Sequence, residues 1–210
     1  FDNVSDLNNA NGFTIALGQI DSAGNVTGAT TTDALTTPIN YFYITSTSNA
    51  TSGNIQGGGE NCSANMRQLV DASLVDEFLE RVVSRAQKFQ VGDPLDPETD
   101  IGSMVSHRHF QKVMSYIKQG SEEGARLMSG GSSIASPGFF IPPTVFADLT
   151  PNMAISREEI FGPVLGVLPI SGIEDALTIA KDTDYGLHAT IYTRDIDRAI
   201  YLSRRLPCGT

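Results

Sequence analysis

The sequence is organised around GGGENCSANMR, residues 57–67, with Cys62 at its centre. The glycine run delivers Cys62 to the front of a helical or turn segment, and the apolar pair Leu69-Val70 follows. Glycine lets the backbone approach a ligand closely, and N–H groups at a helix start favour the thiolate over the thiol. The pattern therefore predicts a nucleophilic cysteine. A lone cysteine is also often a small buried hydrophobic residue, and its spacing alone leaves both roles open.

The composition excludes several classes of protein. The net charge of −10 argues against binding to nucleic acid or to an anionic membrane surface. No apolar run approaches the roughly 18 residues that a membrane-spanning helix needs, and no basic-then-apolar leader opens the chain. The two cysteines, Cys62 and Cys208, are too few for a disulfide framework, so we expect a reducing, cytoplasmic setting.

Charged residues are unevenly distributed along the chain. Residues 1–56 contain no Lys, Arg, His or Glu, whereas all 14 basic residues and all three histidines follow position 56. This shift predicts two segments: a Thr/Ser/Asn-rich segment of unknown role over 1–56 and an ordinary globular segment over 57–210. In the first segment, alternating apolar residues and a turn predict a hairpin over 12–27, and aromatic and β-branched residues predict a strand over 39–45.

After Cys62 the hydrophobic pattern alternates between helical and extended segments. Apolar residues at helical spacing, turn residues and one Ser73-x-x-Asp76 capping pair predict helices over about 73–89, 107–120, 173–181 and 196–206. Extended segments are predicted over 139–146, interrupted by Pro142-Pro143, and over 166–170 and 185–193. Strands that alternate with helices indicate an α/β fold with an open, largely parallel sheet covered by helices, behind a β-rich or irregular N-terminal segment.

Three motifs give the second segment a recognisable pattern. They are GENCSA at 59–64, EEIFGPV at 158–164, and DYGL at 184–187 followed by YTRD at 192–195 and SRRL at 203–206. In this order they resemble the catalytic domain of the NAD(P)-dependent aldehyde dehydrogenase superfamily, so residues 57–210 look like part of that domain. The overall residue pattern is most similar to that of members that act on aminoaldehydes or similar aliphatic aldehydes.

The resemblance implies a role for five residues. Cys62 would be the nucleophile that attacks the aldehyde carbonyl, giving a thiohemiacetal and then a thioester. Glu159 would accept hydrogen bonds from a ribose of the cofactor, NAD or NADP with NAD favoured, and Phe161 would pack near the nicotinamide. Asn61 and Ser63 would line the aldehyde pocket. Without the resemblance, Glu159 would be interpreted as a solvated charge and Phe161 as a core aromatic residue.

No metal site is predicted. His107 and His109 lie two apart at the start of a helix and do not share a face, His188 is isolated, and the two cysteines are far apart in sequence. We interpret Cys208 as structural.

The sequence also departs from the family pattern. Nothing in residues 1–56 resembles the Rossmann-like domain that makes most cofactor contacts in complete members, and no glutamate precedes Glu60 to act as the family's general base. The chain stops before the family's oligomerisation strand. We therefore expect a partial catalytic domain with weak or absent turnover alone, a small aldehyde as substrate, and possible homo-oligomers. The alternative hypothesis is a non-catalytic binding or structural module on the same scaffold, and residual thiol esterase activity is a third possibility.

Overall fold

The computed structural model describes residues 55–208 and four short strands that precede them. These strands are β1 (Ile15–Ala16), β2 (Gln19–Ile20), β3 (Val26–Thr27) and β4 (Phe42–Tyr43). β2 and β3 pair antiparallel within the predicted hairpin over 12–27, but Ile15, expected in its first strand, lies on β1, which pairs with Ile191 and Tyr192 of the sheet instead. β4 falls inside the predicted strand over 39–45. The rest of both predictions lies outside the described residues.

The main sheet has seven strands in the order β1-β9-β4-β5-β8-β7-β6. The later strands are β5 (Arg67–Asp71), β6 (Arg126–Ser129), β7 (Thr144–Ala147), β8 (Val164–Ile170) and β9 (Ile191–Thr193). The central strands β5, β8 and β7 are parallel, β1 is parallel to β9, and the remaining pairs are antiparallel. An open α/β sheet with flanking helices, as predicted, is therefore confirmed, with mixed pairing.

Within residues 55–208, five α-helices accompany the sheet. They are α1 (Val75–Ala86), α2 (His107–Glu122), α3 (Ala154–Arg157), α4 (Ile173–Lys181) and α5 (Ile196–Ser203). The predicted cap of α1 is wrong, because a short 3₁₀ turn over Ala72–Leu74 precedes the helix and Asp71 caps that turn. Its carboxylate accepts from the Ser73 backbone N–H at 3.0 Å and from the Ser73 hydroxyl at 2.6 Å. Ser106 caps α2 by accepting from the His109 N–H at 3.2 Å.

Strand β8 lies at the centre of the core. Six of its seven residues are buried, and their side chains alternate between two hydrophobic clusters on opposite faces of the sheet. On one face Leu165 and Val167 belong to the cluster of α1, and on the other Val164 and Leu168 belong to the cluster of α2. Because both faces are covered, β8 is apolar throughout rather than alternating, as buried parallel strands usually are.

The predicted strand over 185–193 is mostly wrong. Only Ile191–Thr193 form a strand, and 185–190 make an irregular loop before it. Backbone contacts fix this loop closely: a β-carbon on Gly186 would lie 2.5 Å from the Pro207 carbonyl oxygen. Helix α5 also ends earlier than predicted, at Ser203. Within the described residues, no helix has the length and apolar character needed to cross a membrane.

Candidate active site

The glycine run before Cys62 forms a tight turn. Gly57, Gly58 and Gly59 all have positive φ, at 71°, 72° and 68°. Residues with a β-carbon rarely adopt this conformation, so three such residues in succession require glycine. The turn brings the chain to Glu60 and then to Cys62, immediately before strand β5.

Cys62 lies in a second turn that its neighbours shape. The Asn61 side-chain oxygen accepts from both the backbone N–H and the hydroxyl of Ser63, each at 3.0 Å, and the Asn61 carbonyl accepts from Ala64 N–H at 3.0 Å. Cys62 is exposed, so it is not a small buried hydrophobic residue. No helix begins here, because the turn leads directly into β5, and a helix start therefore does not act on this thiol.

A cavity of about 200 Å³ joins the Cys62 turn to the EEIFGPV motif. Cys62, Asn61, Glu159 and Phe161 all line it, so four of the five predicted site residues meet in one place. Ser63 is not among the lining residues, and its hydroxyl is directed to Asn61. The amide of Asn61 shapes the turn, which is a different use from direct contact with a substrate.

The loop 158–161 is anchored at its centre and carries the two predicted cofactor residues. Ile160 is only 2% exposed, and Phe161 has φ +61°, an uncommon conformation for a residue with a side chain. Glu159 is half-buried, and its carboxylate has no hydrogen-bond or ion-pair partner in the part of the chain described here. An unengaged carboxylate at a cavity wall is available to accept hydrogen bonds from a ligand.

One face of helix α2 holds this loop. His109 donates from Nε2 to the Phe161 carbonyl at 2.6 Å, Lys112 donates to the Glu159 carbonyl at 3.1 Å, and the Tyr116 hydroxyl donates to the Glu158 carboxylate at 2.6 Å. The three side chains follow one another at helical spacing. Sequence reasoning missed this face, although the i, i+3, i+7 spacing of three polar residues was a visible signal.

The Tyr116–Glu158 bond predicts an observable titration. Burial and the hydrogen bond to Glu158 raise the pKa of Tyr116 to about 12, from 10.0 in an unperturbed tyrosine. Since the folded pKa is raised, the stability that this hydroxyl contributes is complete below pH 10 and is lost between about pH 10 and 12. Ultraviolet titration of Tyr116→Phe should lose the ionisation step near pH 12. A Tyr116→Phe curve that instead loses a step near pH 10 would contradict this assignment.

Among the titratable residues that line the cavity and were not predicted as site residues, Arg67, His188 and Cys208 have pKa values shifted by burial. Burial lowers the pKa of Arg67, opposed by the nearby Asp182. Burial also lowers the pKa of His188 and raises the pKa of the Cys208 thiol. Cys208 therefore holds less thiolate at neutral pH than an unperturbed cysteine.

Part of the cavity lining is a polar network on the 185–190 loop. His188 Nε2 lies 3.1 Å from the Thr190 hydroxyl oxygen, which accepts from the Asn65 side-chain amide at 3.2 Å. Asn65 belongs to the Cys62 stretch, so the network ties that stretch to the loop. Over the described ranges, no three His, Cys, Asp or Glu side chains are grouped as a metal ion would require.

Comparison with known proteins gives a consistent result. A sequence profile described as "Aldehyde dehydrogenase family" matches residues 45–210. The chain is 45% identical over 152 residues to mitochondrial aldehyde dehydrogenase of Mesocricetus auratus, covering 72% of this chain and 30% of that protein. It is 43% identical over 158 residues to a betaine aldehyde dehydrogenase of Cereibacter sphaeroides, covering 75% of this chain and 33% of that protein.

The fold agrees with the sequence comparison. A crystal structure of an NAD-dependent aldehyde dehydrogenase from Sinorhizobium meliloti matches with a TM-score of 0.74 and 37% identity, over 77% of this chain and 32% of that one. The chain thus spans about 30% of the length of the curated relatives it matches. Over that span, sequence and fold agree: the chain belongs to the aldehyde dehydrogenase family.

Proposed function

We propose that the protein oxidises an aldehyde to a carboxylic acid with NAD(P)⁺, using Cys62 as the nucleophile. The observation that carries the proposal is the single cavity lined by Cys62, Glu159 and Phe161, which come from two motifs far apart in sequence. The exposed sulfur is accessible to a substrate, and the unengaged Glu159 carboxylate is accessible to a cofactor. Both features support the proposed reaction.

The chemistry at Cys62 follows from its thiolate. The sulfur adds to the aldehyde carbon, a C–S bond forms, and the carbonyl oxygen becomes an oxyanion. The Cys62 backbone N–H donates to no acceptor within residues 55–208 and is free to stabilise that oxyanion. Loss of hydride from carbon leaves a thioester, and attack by water breaks the C–S bond and releases the carboxylate and the thiolate.

A nicotinamide cofactor would supply the hydride acceptor. Glu159 is the residue that fits it, because an ionised carboxylate accepts from two neighbouring hydroxyls and this one has no competing partner among the residues described. Phe161 would present its ring at the same wall. One of the solved relatives is described as NAD-dependent, which favours NAD over NADP here.

Glu60, the first glutamate in the chain, does not take the general-base role. Its carboxylate accepts from the Val105 N–H at 3.1 Å, lies 3.4 Å from His109 Nε2, and does not line the cavity. Deacylation of Cys62 by these residues alone therefore lacks an evident base. We accordingly expect weak turnover from the 210-residue chain by itself.

The test of the proposal is the affinity for NAD⁺, measured by isothermal titration calorimetry on the full chain. Glu159→Gln should weaken binding by roughly tenfold or more, because a hydrogen bond to a charged group contributes about 1.5–3 kcal/mol. The matched control is Glu158→Gln, since Tyr116 already engages the neighbouring carboxylate. Equal affinity in wild type and Glu159→Gln would contradict the cofactor role.

The alternative, a non-catalytic binding or structural module, is decided by the same measurement. It predicts no NAD⁺ binding by the wild type and no difference between the variants. The substrate we propose is a small aliphatic aldehyde of the aminoaldehyde type, consistent with the motif texture and with a relative named as a betaine aldehyde dehydrogenase. Homo-oligomers, a cytoplasmic location and the division at residues 56–57 stay predictions.

A further inference from the structure

His109 contacts both halves of the candidate site. Its Nε2 atom lies 2.6 Å from the Phe161 carbonyl oxygen and 3.4 Å from the Glu60 carboxylate, and Glu60 stands two residues before Cys62. The side chains of His109 and Glu60 are only 15% and 19% exposed. This junction is sheltered from water, so a hydrogen bond or dipole at the ring is screened less there than at the surface.

The hydrogen bond between His109 and Phe161 can have only one donor, the histidine ring. A carbonyl oxygen only accepts, so the His109 ring must carry its proton on Nε2 and donate to Phe161. The bond ends on a residue with φ +61°, a conformation that persists only where surrounding contacts hold it. The edge-to-face packing of the two rings, with centroids 6.0 Å apart, adds a second contact at the same place.

The position of His109 is itself fixed. Its backbone N–H donates to the Ser106 cap at the start of α2, and Glu60 holds the segment just before that cap by accepting from Val105 N–H. The Cys62 stretch, the start of α2 and the 158–161 loop therefore meet at one imidazole. Lys112 and Tyr116 hold the loop too, but within residues 55–208 no hydrogen bond or ion pair joins either side chain to the Cys62 stretch.

We propose that His109 is a positioning residue that fixes the Cys62 turn relative to the loop carrying Glu159 and Phe161. The consequence for the reaction rests on the proposed function. The distance between the Cys62 sulfur and the loop that carries Glu159 and Phe161 stays fixed, because the His109 ring contacts both segments. His109 does not line the cavity, so it acts through Glu60 and Phe161 and not on the substrate.

The test is hydrogen–deuterium exchange of the full chain, read in peptides covering 57–66 and 158–163. His109→Asn, whose amide is too short to reach the Phe161 carbonyl, should raise exchange in both peptides by roughly fivefold, the factor expected for one lost hydrogen bond. His109→Gln, whose longer side chain carries an N–H donor, should restore wild-type exchange in both. A residue that served only general stability would raise exchange throughout and would not show this Asn–Gln difference.

Two further variants make the test specific. Of the two peptides, Glu60→Ala should raise exchange in 57–66 alone. In the Glu60→Ala background, His109→Asn should raise exchange in 158–163 but should not raise it further in 57–66, because the influence of His109 on the turn passes through Glu60. His107→Asn is the matched control: His107 stacks near Phe110 and Phe139, and within residues 55–208 no hydrogen bond or ion pair joins its ring to either loop.

Three outcomes would overturn the proposal. They are an increase confined to one peptide in His109→Asn, an equal increase in His107→Asn, and a Gln variant no better than Asn. The measurement requires neither aldehyde nor cofactor. Its failure is therefore distinguishable from the failure of the Glu159 binding test.

Discussion

Replacing Cys62 by alanine should lower the rate of p-nitrophenol release from p-nitrophenyl acetate to about one hundredth of wild type or less. The ester tests the sulfur alone, because its acyl transfer needs no hydride acceptor. The thiolate attacks the ester carbon, the C–S bond forms as the bond to p-nitrophenolate breaks, and water then hydrolyses the thioester. Absorbance of the released phenolate gives the rate, and the intact mass of the chain shows the acetyl group.

Cys208 is the internal control for this prediction. It lines the same cavity, but burial raises the pKa of its thiol, whereas Cys62 is exposed. The Cys208→Ala variant should therefore still hydrolyse the ester at the wild-type rate, and its intact mass should still show the acetyl group. Ester hydrolysis that survives in Cys62→Ala would exclude Cys62 as the nucleophile, both for aldehyde oxidation and for residual esterase activity.

Replacing Phe146 by alanine should lower the free energy of unfolding by about 3–5 kcal/mol. Phe146 is fully buried on β7, and it belongs to the cluster between the sheet and α2, the helix that holds the 158–161 loop. Truncation removes apolar contacts and leaves a cavity that the close-packed sheet fills only in part. Urea denaturation followed by circular dichroism measures the change.

Leu127 provides the comparison on the neighbouring strand. It pairs with Phe146 across β6 and β7 but is 43% exposed, so Leu127→Ala should cost less than about 1 kcal/mol. Equal losses in the two variants would mean that the core does not depend on Phe146.

The helices show how much of the secondary structure hydrophobic periodicity predicts by itself. α4 spans Ile173–Lys181, as predicted. α2 begins at the predicted residue and ends at Glu122, slightly beyond the predicted end at residue 120. Apolar residues at helical spacing dominate both segments, so their sequence pattern was sufficient to predict them. The predicted N-cap of α1 was wrong because serine and aspartate are both residue types that favour the N-cap position, and Asp71 lies two residues before Ser73. Only the bend of the chain leaving β5 decides that Asp71 accepts and Ser73 donates.

The 185–190 loop shows where periodicity fails. Its apolar and small residues match a strand pattern, but tertiary contacts compete with ladder hydrogen bonds for the same backbone. Gly186 packs against the Pro207 carbonyl, and the His188–Thr190–Asn65 network holds the loop against the Cys62 stretch. These partners are distant in sequence, so no local pattern contains them.

The sequence alone determined the order of the motifs. Through their resemblance to the aldehyde dehydrogenase family it also indicated the family and made Cys62, Glu159 and Phe161 candidate site residues. Only the tertiary structure decided which of them share a cavity, that the Ser63 hydroxyl is directed to Asn61 instead, and that Arg67, His188 and Cys208 line the same cavity. It also decided that His109, and not His107, joins Glu60 to Phe161. The physical reason is that side chains two residues apart on a helix point about 200° apart, and only the packing of α2 on the sheet selects which one faces the site.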